Sequence, residues 1–463
     1  MDAQGLEVTG SPEAVALLDR AVGHLVRFQR EVVEAVTGAV EADPGCALAG
    51  VLSAYLALMS TEASAVAEAR RALAGIRTDP GALRPRERAH LAAAEVWVAG
   101  EMAAAGTLLR ELTVEEPRDL LALAVGHQID FFSGDAVSLR DRIGGALGAW
   151  TGDDPLLGFV QGMYAFGLEE SNLYGLSGEV AARAVEAHPE DVWAIHAMVH
   201  TYEMQGRVPE GVRFLRAREA NWTAGSFLVV HNSWHFALYL LEGGDVAGAL
   251  DVYDRVLHHA DSPDFALELL DASALLWRLH LDGVDVGDRW TPLTEAWGRV
   301  LTPGYYPFND MHAVMAALGA HDLARARELV AALEVVVAGG DRATTGWRMS
   351  RDVGLPVCRS LVDFAAEDYQ AVVDGLLPVR ARLHEFGGSH AQRDVMERTL
   401  VEAALRLPRP ELARALLRQR LGVREASSWA WGRLAGLRAS GGDQTGAASA
   451  AARAGELAAA VVG

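Results

Sequence analysis

The segment DVWAIHAMVHTYEMQGR (residues 191–207) is answered by HNSWHFALYLLEGGD (231–245), so that the pair His196/His200 recurs 35 residues later as His231/His235. Histidines four apart share one face of a helix. A shift of 35 residues is about one helical-hairpin repeat. If the chain is an array of such hairpins, both pairs occupy equivalent positions on neighbouring helices, and four imidazoles converge on one point.

The rest of the first half supports an array. Pro44, Pro80, Pro117, Pro155 and Pro189 fall at intervals of 36, 37, 38 and 34 residues. Proline suits the first turn of a helix and interrupts any helix that reaches it, so each marks a helix start after a turn. Between these marks lie an apolar helix, a Gly-containing turn and a second helix, as in LLALAVGHQIDFFSGD (120–135). Alternating and β-branched runs of the strand type are scarce. The fold expected is all-α: a single α-solenoid of helical hairpins over 1–463. The Pro-containing stretch 290–310 reads as a loop across a repeat junction and 338–348 as a second loop. The Ala/Gly-rich stretch 435–463 reads as a weakly packed terminal cap.

Composition removes several functions. Half of the 463 residues are hydrophobic, enough for a large core, yet no apolar run reaches the ~18–20 residues of a membrane span. The net charge is −21 with no basic block, which disfavours nucleic acid and anionic membranes as partners. Every basic side chain is arginine. Without lysine there is no Schiff base for pyridoxal phosphate and no P-loop lysine. GxSxG and GxGxxG motifs are also absent, so no nucleotide cofactor is expected. Cys46 and Cys358 make no disulfide framework. An acidic N-terminus without the order of a secretory signal points to the cytoplasm.

The segments YAFGLEE (164–170), AIHAMVHTYEMQGR (194–207), HNSWHFALYLLEGGD (231–245), YYPFNDMHAVMA (305–316), VGLPVCRSLVDF (353–364) and GGSHAQRDVMERTL (387–400) resemble the tetratricopeptide repeat protein 38 family. The likeness is collinear over roughly residues 100–410, which sets that span apart as a family-like core. It implies a helical-repeat fold and brings no reaction with it.

Function must therefore be read from side chains. First helices of stacked hairpins line the concave surface, so both His pairs should face a groove. Glu203 extends the face of His196 and His200 at i+7. Glu169 and Glu203 each lie 14 residues after a marker proline and hold the same repeat position. His127, 69 residues before His196, falls about two repeats earlier. Imidazoles with carboxylates suit a divalent transition metal such as Zn, Fe, Mn, Co or Ni, with Glu169, Glu203 or Asp310 orienting the rings or serving as base. Asp310 and His312 follow an irregular Pro-rich stretch that reads as a lid. His390 and Arg393, with Asp394 and Glu397, form a further candidate cluster. Its bland reading is a helix start capped by Ser389. Tyr164, Trp234 and Tyr306 are candidates to line a substrate pocket, although aromatics on first helices more often pack repeats together. Arg348 and Arg351 give a weak clamp signal.

Two functions follow. One is an enzyme acting on a small polar substrate in the His/Glu pocket, by metal-dependent hydrolysis, a related addition or elimination, or metal-free acid–base chemistry. The other is a non-enzymatic scaffold for a peptide or protein partner. Self-association into a homodimer is compatible with either.

Overall fold

The computed structural model describes residues 1–462, and the described residues hold helices with no strand beyond an isolated bridge between Gln29 and Ser226. Paired antiparallel helices follow one another from Pro12–Val26 with Val32–Ala42 to Ser428–Ser440 with Gln444–Val462. None is long and apolar enough to cross a membrane.

Local chemistry sets each hairpin. Two residues beyond the first helix the chain turns left-handed, at Gly206 after Val192–Met204 and at Gly244 after Val229–Glu242. Asn172 and Glu367 hold the same conformation at their own turns. An aspartate then caps the second helix, as Asp135 and Asp245 do by accepting the N–H three residues on. The marker prolines stand in the turns ahead of first helices, not within their first turns. Asp119 after Pro117 and Asp191 after Pro189 are the N-caps.

The stretch 290–310 is not a plain loop: Trp290–Val300 is a helix, and another begins at Pro307. Only 340–344 separates the helices Leu323–Gly339 and Thr345–Met349. The last helix packs back on Val208–Ala217 and Val229–Glu242.

The superhelix winds so tightly that first helices meet across its axis. All 13 residues of Pro307–Gly319 are buried, as are 14 of the 16 in Ala266–Leu281. A helix that is buried all round belongs to an interior. Polar ties cross the axis: Arg278 donates to Ala391 O at 2.7 Å, Asn309 to Thr61 O at 3.2 Å, and Ala266 N to Glu62 Oε1 at 2.9 Å. The concave surface expected from the repeats is therefore largely filled, and the histidines lie inside.

Candidate metal centre

The Val192–Met204 helix packs closely on its predecessor, Leu157–Glu170, but only grazes its successor, Val229–Glu242. The short helix Glu219–Trp222 lengthens the connection between those hairpins. His196 lies ten residues before its turn glycine, whereas His231 lies 13 before Gly244. The two pairs are thus offset by almost one helical turn, not equivalent in position as the 35-residue spacing suggested. Even so, the splayed gap brings all four rings together. Ring centroids are 4.4 Å apart for His196–His200 and His200–His235, and 4.9 Å for His196–His231 and His231–His235. One ring nitrogen from each lies within 4.8 Å of the others.

Three rings turn Nδ1 toward a carboxylate. His231 faces Asp271 at 2.7 Å, His235 faces Glu203 at 3.1 Å, and His200 faces Glu169 at 3.4 Å. The last contact falls outside hydrogen-bond geometry. Both nitrogens of His196 and of His200, and Nε2 of His235, are buried without a hydrogen-bond partner. Burial, then the neighbouring imidazoles, hold His196 and His235 well below the usual histidine range. Burial pushes His200 the same way, but Glu169, with Glu170 and Glu203 behind it, outweighs burial and lifts His200 above that range. Neutral imidazoles are the form that binds metals, so His196 and His235 are ready to ligate while His200 releases its proton on binding.

Aromatic rings wall the cluster. Trp193 and Phe166 flank His196 at 4.9 and 5.0 Å, and Trp234 stacks on His231 at 5.4 Å. Two cavities approach from different sides. An apolar one of about 340 Å3 reaches His196 and His231, of which His231 is the most exposed of the four at 15 %. A polar cleft of about 580 Å3 is lined by Glu170, His390, Arg393 and Arg424. Glu169 lies buried between His200 and His390 Nδ1, 3.6 Å away, with both its oxygens unpartnered. Glu170 accepts from His390 N and from Arg393, and although burial pushes its carboxyl up, His390⁺, Arg393 and His200 together hold it far below its ordinary range. The two glutamates in turn raise His390 to about 9 against the effect of its own burial.

Other expectations fail on contact partners. Asp310 is the staple of its own loop: both its oxygens accept from Gly304 N at 3.1 Å. Neither Asp310 nor His312, whose Nδ1 meets Phe308 O, joins the cluster, and no lid forms there because both sit in the buried Pro307–Gly319 helix. Asp271, 40 residues from His231, takes the ring-orienting place expected of Asp310. His127 accepts from Trp193 Nε1 at 3.1 Å, so it positions a wall and lines neither cavity. Trp234 is fully buried, Tyr306 donates to Phe132 O, and Tyr164 packs at Gly144; none of them lines either cavity. His390 and Arg393 do line the polar cleft, and Ser389 also caps their helix. Arg348 and Arg351 spend their guanidinium groups on Ala343 O and Asp352.

No family profile matches the chain. Among solved structures it is similar to a monomeric mutant of IFIT1 with Gppp-AAAA, at 13% identity, covering 98% of this chain and 96% of that one with a TM-score of 0.38. The human IFIT1 dimer with m7Gppp-AAAA matches at 14% identity, covering 98% and 97%, with a TM-score of 0.37. At such values neither likeness bears on what this chain binds. Its own helices define the class: a helical-repeat superhelix of the tetratricopeptide kind, enclosing a cluster of histidines and carboxylates.

Proposed function

We propose that His196, His200, His231 and His235 hold one divalent transition-metal ion, and that the protein is a metal-dependent enzyme. The supporting observation is the set of five unpartnered ring nitrogens on three of these buried side chains. A buried polar atom left without a partner costs about 1–3 kcal/mol, and a shared cation relieves several at once. Two imidazoles on one ion stand at most about 4.2 Å apart, so the 4.8 Å cluster closes with small ring movements. Asp271, Glu203 and Glu169 fix the ring orientations, as carboxylates behind metal-bound histidines do.

Such an ion polarises a carbonyl or lowers the pKa of water, which supports hydrolysis or a related addition or elimination. Access runs through the apolar cavity, so the substrate has a largely apolar body, in place of the small polar molecule expected from the His/Glu composition. Glu169, between His200 and His390, is the residue proposed to move protons toward the polar cleft.

Elemental analysis of the untagged protein tests this reading. Near-stoichiometric Zn, Fe, Mn, Co or Ni, lost in a His200→Ala/His235→Ala variant, is the expected result. A protein that stays empty after incubation with each ion refutes it.

A second reading, a scaffold for a protein or peptide partner, is supported by the helical-repeat architecture and by the arginine- and carboxylate-lined cleft. Pull-down that survives His200→Ala/His235→Ala but not Arg393→Ala favours it. Narrower placement in the tetratricopeptide repeat protein 38 family rests on the collinear segments over 100–410. Cytoplasmic residence and a homodimer belong to the same proposal, and the charge of −21 argues against nucleic acid.

A further inference from the structure

The apolar cavity is assembled from parts of the chain far apart in sequence: Phe28 near the first turn, Met59 just beyond the helix Ala47–Leu58, Ala124 and Phe131 on the helix Leu120–Phe132, and Phe227 in a later loop. Apart from His196 and His231, its only ionisable lining residue is Glu268. A volume of about 340 Å3 falls within the ~300–1,000 Å3 of small-molecule sites.

Its mouth is built by backbone pairing between two irregular segments. Phe227 N donates to Phe28 O at 2.9 Å, Arg30 N donates to Gly225 O at 3.2 Å, and Gln29 bridges to Ser226 between them. Phe28 is held at φ +54°, a backbone conformation that bulky residues seldom adopt. That conformation lays its ring flat on Trp193, with centroids 4.7 Å apart and planes at 10°. Trp193 in turn touches His196. The rim is apolar as well: Val33 is 54% and Phe227 39% exposed.

We infer that this cavity binds an uncharged small molecule with a hydrocarbon or aromatic body, its oxygen-bearing end against His196 and His231 and its body reaching past Phe28 to Phe227. The orientation rests on the metal reading, while the cavity stands without it. Charge selects the end group. With no cation on the histidines, Glu268 lining the cavity and Asp271 behind His231 set two like charges against a carboxylate-ended ligand. A hydrocarbon body finds a wall that is mostly apolar, with Gln29, Ser60 and Gln128 its uncharged polar members.

Titration of the metal-stripped full-length protein with N-phenyl-1-naphthylamine, a neutral apolar dye, tests the site. One saturable site is expected, with the dye displaced by 1-decanol and at least tenfold less well by decanoate. Ala124→Phe fills the floor and Val33→Trp blocks the mouth; each should weaken the dye tenfold or more. Val33 is exposed, so its variant folds even where the Ala124 variant does not. His200 and His235 do not line the cavity, so their double Ala variant should still bind the dye after losing metal. Dye binding to a protein that holds no metal sustains the cavity and sinks only the metal reading. No saturable dye binding, or unaltered affinity in folded Val33→Trp, overturns the cavity. Decanoate displacing as well as decanol overturns the uncharged end.

Discussion

His200 and His235 stand 4.4 Å apart, and each turns Nδ1 to a glutamate supplied by the hairpin before its own: Glu169 for His200, Glu203 for His235. One repeat-derived rule therefore orients both rings. It leaves their Nε2 atoms buried without hydrogen-bond partners. Asp271, from the following hairpin, serves His231 from the other side.

A cation that binds this cluster only in the folded state adds stability by mass action, about 2.7 kcal/mol at a free concentration 100 times Kd. Adding Zn²⁺ or Fe²⁺ to metal-stripped protein should raise Tm by several degrees. The same titration on His200→Ala/His235→Ala should leave Tm in place. An equal rise in both proteins would assign the effect to some other site.

Removing an unpartnered buried polar group can be neutral or stabilising. Both nitrogens of His196 are in that condition, between Phe166 and Trp193. Metal-free His196→Leu should melt no lower than metal-free wild type, while failing to take up metal. A drop of several degrees in scanning calorimetry would mean that its nitrogens are satisfied and the ring is a structural residue.

The fold was legible because proline breaks and turn glycines are local signals that recur at the repeat length. The convergence of the two His pairs was legible too, though their one-turn offset was not. The 35-residue spacing does not reveal the longer connection around Glu219–Trp222. Asp271 and the pocket walls Phe28 and Met59 were missed because tight winding alone places them at the cluster. One hint existed: Asp271 is an acid inside the apolar run DASALLWRL. Asp310 misled for the converse reason, since an acid after a Pro-rich stretch can staple its own loop as readily as serve a site.

Asp310 offers a pH test away from the histidines. Burial raises its folded pKa to about 7, with the Gly304 N–H only partly opposing, against about 3.9 when unfolded. Between those values the folded chain holds the extra proton. The stability contribution is therefore complete below about pH 4 and is lost as pH rises through about 7. Asn accepts the Gly304 bond and does not titrate. The Tm of Asp310→Asn relative to wild type should thus climb from pH 4 to pH 8. A difference that is flat with pH would show the carboxyl ionised throughout.

Closure of the superhelix is testable with two glycines in the same backbone conformation. Gly134 (φ +69°) and Gly244 (φ +76°) both follow first helices. An alanine in the left-handed region costs about 1–2 kcal/mol wherever it sits. At Gly244 a Cβ meets nothing within 4 Å, so Gly244→Ala should cost that amount and no more. At Gly134 the Cβ would stand 1.7 Å from His384 O, a backbone atom 250 residues away that cannot swing aside. Gly134→Ala should therefore cost distinctly more. It should also raise hydrogen exchange in the 380–388 segment, which lines the polar cleft through Leu383 and His384. Equal losses of Tm in the two variants, with unchanged exchange at 380–388, would mean that this crossing carries no part of the fold's stability.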